Sequence, residues 1–111
     1  MRVLPASLAQ ERWARAAWSR VAEPGDSRAA RLVDELGPVD ALAAVVEGRP
    51  WAPEPLRLRV AGVDLDEAVG FARRRGWRMV IPGDDEWPAG VDVLKTAPIG
   101  LWVVGPADLG E

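Results

Sequence analysis

The chain has 111 residues, 49% apolar and 28% charged, with a net charge of −3; this is the mix of a globular domain, at a length that suits one domain or one small domain plus part of another. It contains neither cysteine nor histidine, which excludes disulfides, Cys/His zinc sites, thiol nucleophiles and any Ser-His-Asp arrangement. Its acidic balance argues against strong sequence-independent binding of a polyanion. No apolar run reaches the ~18 residues of a membrane span. Met1 to Pro5 lack the extended apolar region of a signal peptide. A cytoplasmic location is expected, in keeping with the missing cysteines.

Ser7 is expected to cap a helix running to about Ala22, with Leu8 in its first turn and Ala14, Ala17, Trp18 and Val21 on one face. Glu11, Arg12, Arg15 and Arg20 fall mostly on the other side. Glu23-Pro24-Gly25-Asp26 breaks the helix, because proline lacks an amide donor and glycine tolerates left-handed dihedrals. Asp26 or Ser27 caps a second helix with the apolar stripe Ala29, Leu32, Val33 and Leu36. Gly37 ends it, and Pro38 opens a third helix carrying Ala41, Leu42, Val45 and Val46 before Gly48.

Residues 49–55 hold three prolines and read as an extended linker. Leu56-Arg57-Leu58-Arg59-Val60 alternates like a strand, yet a helical turn is equally open at this length. Asp64 caps a helix from Leu65 to about Arg75, with Asp66 and Glu67 at its positive end and Arg73, Arg74 and Arg75 at its negative end. Trp77 to Ile81 forms a short strand candidate closed by Pro82-Gly83, and residues 84–98 mix turn with helical turn. Ile99 to Val104 is an apolar run without alternation, which suits a strand covered on both faces. Two strands cannot supply that cover, so the expectation is the opening of a larger α/β sheet.

Three features invite a chemical reading. Residues 14–36 compare with the helix-hairpin-helix DNA-binding motif: Gly25 and Ala29 match its second glycine and its small packing residue. Glu23 replaces the first glycine and Asp26 follows Gly25, so two carboxylates stand where a phosphate would sit. A packing role is favoured over DNA contact, with Gly25, Ser27 and Arg28 as the residues DNA would meet. Arg73, Arg74, Arg75 and Arg78, with Arg57 and Arg59 as candidates to join them, are the basic cluster, and Trp77 offers a face on which a base could stack. A solvated, dipole-matched helix end is the favoured reading. Asp84-Asp85-Glu86 is read as a solvated turn rather than a Mg²⁺ or acid–base site, and Trp87-Pro88 as a packing plug. Gly100 and Gly105 flank the last strand without opening a helix, so no P-loop or dinucleotide site is expected. No catalytic constellation, metal site or small-molecule cofactor is implied by these residues.

The order of features resembles a known family. Ala17-Trp18-Ser19-Arg20-Val21 leads into the modified hairpin, followed by Leu32-Val33-Asp34-Glu35-Leu36-Gly37-Pro38-Val39-Asp40-Ala41. Then come Arg73-Arg74-Arg75-Gly76-Trp77-Arg78, Met79-Val80-Ile81-Pro82, Gly83-Asp84-Asp85-Glu86-Trp87-Pro88 and Pro98-Ile99-Gly100-Leu101-Trp102-Val103-Val104-Gly105-Pro106. This resembles the N-terminal third of the DNA-processing protein A family (DprA, also called Smf) in its actinobacterial form. The most specific part is the second half, where a Pro-Gly-Asp-x-x-Trp-Pro turn precedes a Leu-Trp-Val-x-Gly strand.

The resemblance implies a mainly α chain: a SAM-like or helix-hairpin-helix-like helical domain over 1–48, a Pro-rich linker over 49–62, and over 63–111 a helix plus the first two strands of an incomplete Rossmann-type sheet. It implies a non-catalytic share in protecting single-stranded DNA and loading RecA during natural transformation. The family's Gly-Ser-Arg loop and basic pocket are expected just beyond the Val104 strand, outside a chain that stops at Glu111. Expected partners are single-stranded DNA (weakly), RecA or a second copy, with no membrane. The alternatives are an autonomous helical DNA-binding module and a protein-interaction or dimerisation module.

Overall fold

The computed structural model describes residues 3–23, 25–90 and 98–104. After a single 3-10 turn at Ala6–Leu8 come five helices: α1 (Glu11–Val21), α2 (Ser27–Leu36), α3 (Pro38–Val46), α4 (Glu54–Ala61) and α5 (Leu65–Arg74). Two short strands, β1 (Arg78–Val80) and β2 (Leu101–Val103), complete the described elements. The chain is therefore mainly helical with a two-stranded antiparallel sheet. Among the described residues no helix is long and apolar enough to cross a membrane. Pro24, the central part of the expected turn segment (91–97) and residues 105–111, Gly105 among them, lie outside the described residues.

Ser7 does not cap α1. Its hydroxyl donates to the Asp66 carboxylate at the start of α5. The chain first turns Leu8 into the core, then extends through Gln10 (φ −108°, ψ 147°), so the helix begins only at Glu11. From there the expected face holds: Ala14, Ala17, Trp18 and Val21 are buried.

α3 is central and packs on α1, α2 and α4. Its position depends on the Gly37-Pro38 junction. Gly37 has φ 85° and ψ 158°, a region open in practice only to glycine, while its N–H closes α2 on Val33 O at 2.8 Å. Pro38 then starts α3 where an amide donor is not needed. A Cβ on Gly37 would meet nothing within 4 Å, so only the backbone resists a side chain there. Gly37→Ala is expected to cost about 1–3 kcal/mol from conformational strain, read as a shift in the urea midpoint at constant slope.

Residues 49–55 are not extended. Ala52 donates to Arg49 O at 3.0 Å, forming a turn, and Ala52 is buried. The open choice at Leu56–Val60 resolves to helix: Leu56 and Val60, four residues apart, are buried, and Leu58 stays exposed. Pro55 is tolerated because it lies in the first helical turn. The apolar core forms one cluster drawn from the 3-10 turn, all five helices, Ala52 and the β1 region, from Leu8 to Ile81.

β1 and β2 pair in the register Arg78 with Val103, Met79 with Trp102 and Val80 with Leu101. Met79 and Val80 are buried, whereas all three residues of β2 are only half-buried. Among the described residues β2 thus lacks the two-sided cover that its apolar run suits and that two strands cannot supply. β2 contacts α1 and β1, so its shielding stays partial.

Candidate functional site

The α1–α2 connection shows what became of the hairpin. Gly25 takes φ 80°, the left-handed conformation that a tight turn requires. Asp26 then accepts from the amides of Arg28 and Ala29 at 3.0 and 3.2 Å. These are the donors that a phosphate would need, so the helix start is satisfied from within. Arg59 from α4 reaches over the same turn, 3.3 Å from Glu23, 3.9 Å from Asp26 and donating to Val21 O at 3.2 Å. The carboxylates at positions 23 and 26 hold a protein cation where the motif would hold an anion. Ser27 is exposed, and Arg28 lies 3.8 Å from Asp26. α2 packs chiefly on α3, although Ala29 is buried as the motif comparison implies.

The arginines around the end of α5 are divided among different partners. Arg73 stacks over the Trp13 ring of α1 at 4.0 Å, and Arg75 over Phe71 of its own helix at 4.4 Å. Arg74 pairs with Glu67 at 3.1 Å, and Arg78 with Glu86. Arg57 donates to Ala52 O at 2.9 Å. Trp77 packs edge-on to Trp102, with centroids 6.3 Å apart. Both line a cleft of about 560 Å³ with Phe71 and Ser19.

A third group was not legible as a site. Arg12, Arg15 and Ser19 form one stripe on α1, and the two strands dock against it. Arg12 donates to Met79 O at 2.7 Å and to both carboxylate oxygens of Asp84 at 2.6 and 3.0 Å. Arg15 donates to Ile99 O at 2.7 Å, and Trp102 donates its indole N–H to Ser19 at 2.8 Å. Asp84 also accepts from the Ile81 amide at 3.0 Å. The Arg12 hydrogen bond lowers the Asp84 carboxyl to about 2, with partial burial opposing and the Ile81 amide assisting. The side of α1 away from its apolar face, where Arg12 and Arg15 fall, is the seat of the sheet. The 3 and 4 spacing of Arg12, Arg15 and Ser19 was the signal that could have marked it.

The acidic run is accordingly divided: Asp84 serves Arg12 and Glu86 serves Arg78. Among the described residues no group of three or more potential ligands could hold a metal ion.

No family profile matches the chain, and no solved structure does either. Two curated relatives do, both from Mycobacterium tuberculosis (strains CDC 1551 and H37Rv) and both described as a DNA processing protein, DprA. Each is 37% identical over 107 aligned positions, covering 84% of this chain and 27% of the relative. The chain thus spans about a quarter of the length of the proteins it matches. The sequence is that of a relative of the DNA-processing protein DprA, matched over most of its own length and over one part of DprA's.

Proposed function

We infer that these residues supply the non-catalytic helical headpiece and opening strands of a DprA-like DNA-processing protein of the cytoplasm. In this reading residues 1–48 are the SAM-like or helix-hairpin-helix-like unit, 49–62 are its connection to the second part, and 63–111 begin a Rossmann-type domain. The activity served is single-stranded DNA protection and RecA loading in natural transformation. This region contributes through protein contacts, with RecA or a second copy as partner, and touches DNA only weakly.

The observation that carries the reading is the 37% identity across 84% of the chain to a protein described as processing DNA. Weak DNA contact is supported by the internal partners of Arg73, Arg74, Arg75 and Arg78, and by the capped amides beside Gly25, Ser27 and Arg28.

Fluorescence anisotropy of the full chain with labelled single-stranded DNA tests this across a salt series. The expected dissociation constant at physiological salt is about 100 μM or weaker, at the loose end of non-specific binding. Micromolar affinity that falls steeply with salt and vanishes in an Arg73→Ala/Arg74→Ala/Arg75→Ala variant would establish the autonomous DNA-binding alternative instead.

A further inference from the structure

The outer face of α2 carries the exposed Arg28, Arg31 and Glu35, with the half-buried Leu32 packed against the core at its inner edge. Arg28, Arg31, Leu32 and Glu35 line a groove of about 220 Å³, closed on its other side by Trp51 and Pro53. Trp51 is 61% exposed, an unusual state for the side chain with the most apolar area to bury. The backbone that carries it is held in place: the following Ala52 is buried and bonded to Arg49 O, and Pro53 leads directly into α4. With only two side-chain torsions on a fixed stretch of backbone, an indole loses little conformational freedom when something covers it.

The charges beside it are available. Arg28 has only a 3.8 Å contact with Asp26, whose oxygen already caps α2. Arg31 is exposed and makes no ion pair among the described residues, even with Glu35 one turn on. Three residues apart on a helix, the two guanidinium groups are surface neighbours. Leu36, 39% exposed, lies one turn beyond Leu32 on the same helix.

We propose that this groove binds a short peptide segment of a partner protein, in which one or two carboxylates adjoin a bulky apolar side chain. The apolar side chain covers Trp51 and Leu32, and the carboxylates pair with Arg28 and Arg31. Charge selects this occupant over a nucleic acid. A single strand needs a positive groove that tracks its backbone. Here Glu35 lies within the groove, Glu54 follows Pro53, and Asp26 and Glu23 lie before α2. Such a setting suits a short acidic segment beside the two arginines, not a continuous phosphate backbone. The helix amides take no part, since Asp26 occupies them. The inference is independent of the DprA-like role.

The test titrates the full chain into a fluorescein-labelled, end-capped peptide of sequence Gly-Asp-Glu-Leu-Phe-Gly, read by anisotropy. Saturable binding near ~50 μM is expected, about 6 kcal/mol by the standard conversion. Trp51→Ala and the Arg28→Ala/Arg31→Ala pair should each weaken it at least tenfold, with circular dichroism unchanged because all three side chains are exposed. The amidated peptide Gly-Asn-Gln-Leu-Phe-Gly should weaken it equally, and Arg20→Ala should leave it unaltered. No approach to saturation at protein concentrations well above ~50 μM would overturn the proposal. So would indifference to Trp51→Ala, or tighter binding of a labelled oligothymidylate through the same residues.

Discussion

Trp18→Ala is expected to unfold most of the protein at room temperature. Trp18 is the largest fully buried side chain, and its indole N–H donates to Pro38 O at 3.0 Å, at the first residue of α3. Truncating a buried Trp to Ala costs about 3–5 kcal/mol. Loss of the indole hydrogen bond to the Pro38 carbonyl, which remains a helical acceptor in α3, adds up to about 1 kcal/mol more. Domains have only about 5–15 kcal/mol in total, and small ones lie toward the low end. Trp18→Phe separates the two contributions: it keeps most of the packing and loses only the hydrogen bond. Urea denaturation followed by far-UV circular dichroism should show a lowered midpoint for Phe and no cooperative transition for Ala. A cooperative transition near the wild-type midpoint in Trp18→Ala would mean that α1 and α3 do not form the centre of the core.

The second large effect concerns the strands. Arg12→Ala removes three hydrogen bonds at once and leaves Met79 O and Asp84 without their α1 partner. Charge-assisted bonds are worth about 1.5–3 kcal/mol each when well shielded. The Arg12 and Asp84 side chains are 40% and 26% exposed, so solvent screening holds the whole loss to about 1–2 kcal/mol. The damage is expected to be local. Amide exchange at Val80 and Leu101 should speed up while α3 stays protected.

The same contact gives a pH dependence with a definite sign. Asp84 has a folded pKa of about 2, below the ~3.9 of an unfolded aspartate. Its ionised form therefore stabilises the fold in full above pH ~4, and the contribution is lost as pH falls from about 4 through about 2. Asp84→Asn should be less stable at neutral pH and lack this component of the acid slope. An unchanged slope between pH 4 and 2 in that variant would show that Asp84 does not carry it.

How much could be read in advance differs from element to element. α2 and α5 were legible from Asp26 and Asp64, whose carboxylates do accept from amides within the first turn. The Gly37-Pro38 boundary was equally plain, because glycine and proline act on their own dihedrals. For α4 the sequence leaves strand and helix open, since five alternating residues satisfy either period when the neighbours are unknown. Burial of Leu56 and Val60 in the shared core decided it. The arginine run 73–75 looked like one basic patch because the residues are adjacent in sequence. Helical geometry and distinct partners sent Arg73 to Trp13, Arg74 to Glu67 and Arg75 to Phe71.

The sequence by itself determined where most of the helices begin and stop, the apolar faces they bury and the relationship to DprA. Each of those features is encoded within a few residues or in the linear order of motifs. Only the tertiary structure decided what the long polar side chains of α1 do. Arg12 finds its acceptors 67 and 72 positions away and Arg15 finds one 84 away. A long guanidinium side chain pairs with whatever acceptor the fold brings within reach, and no local period records which one that is.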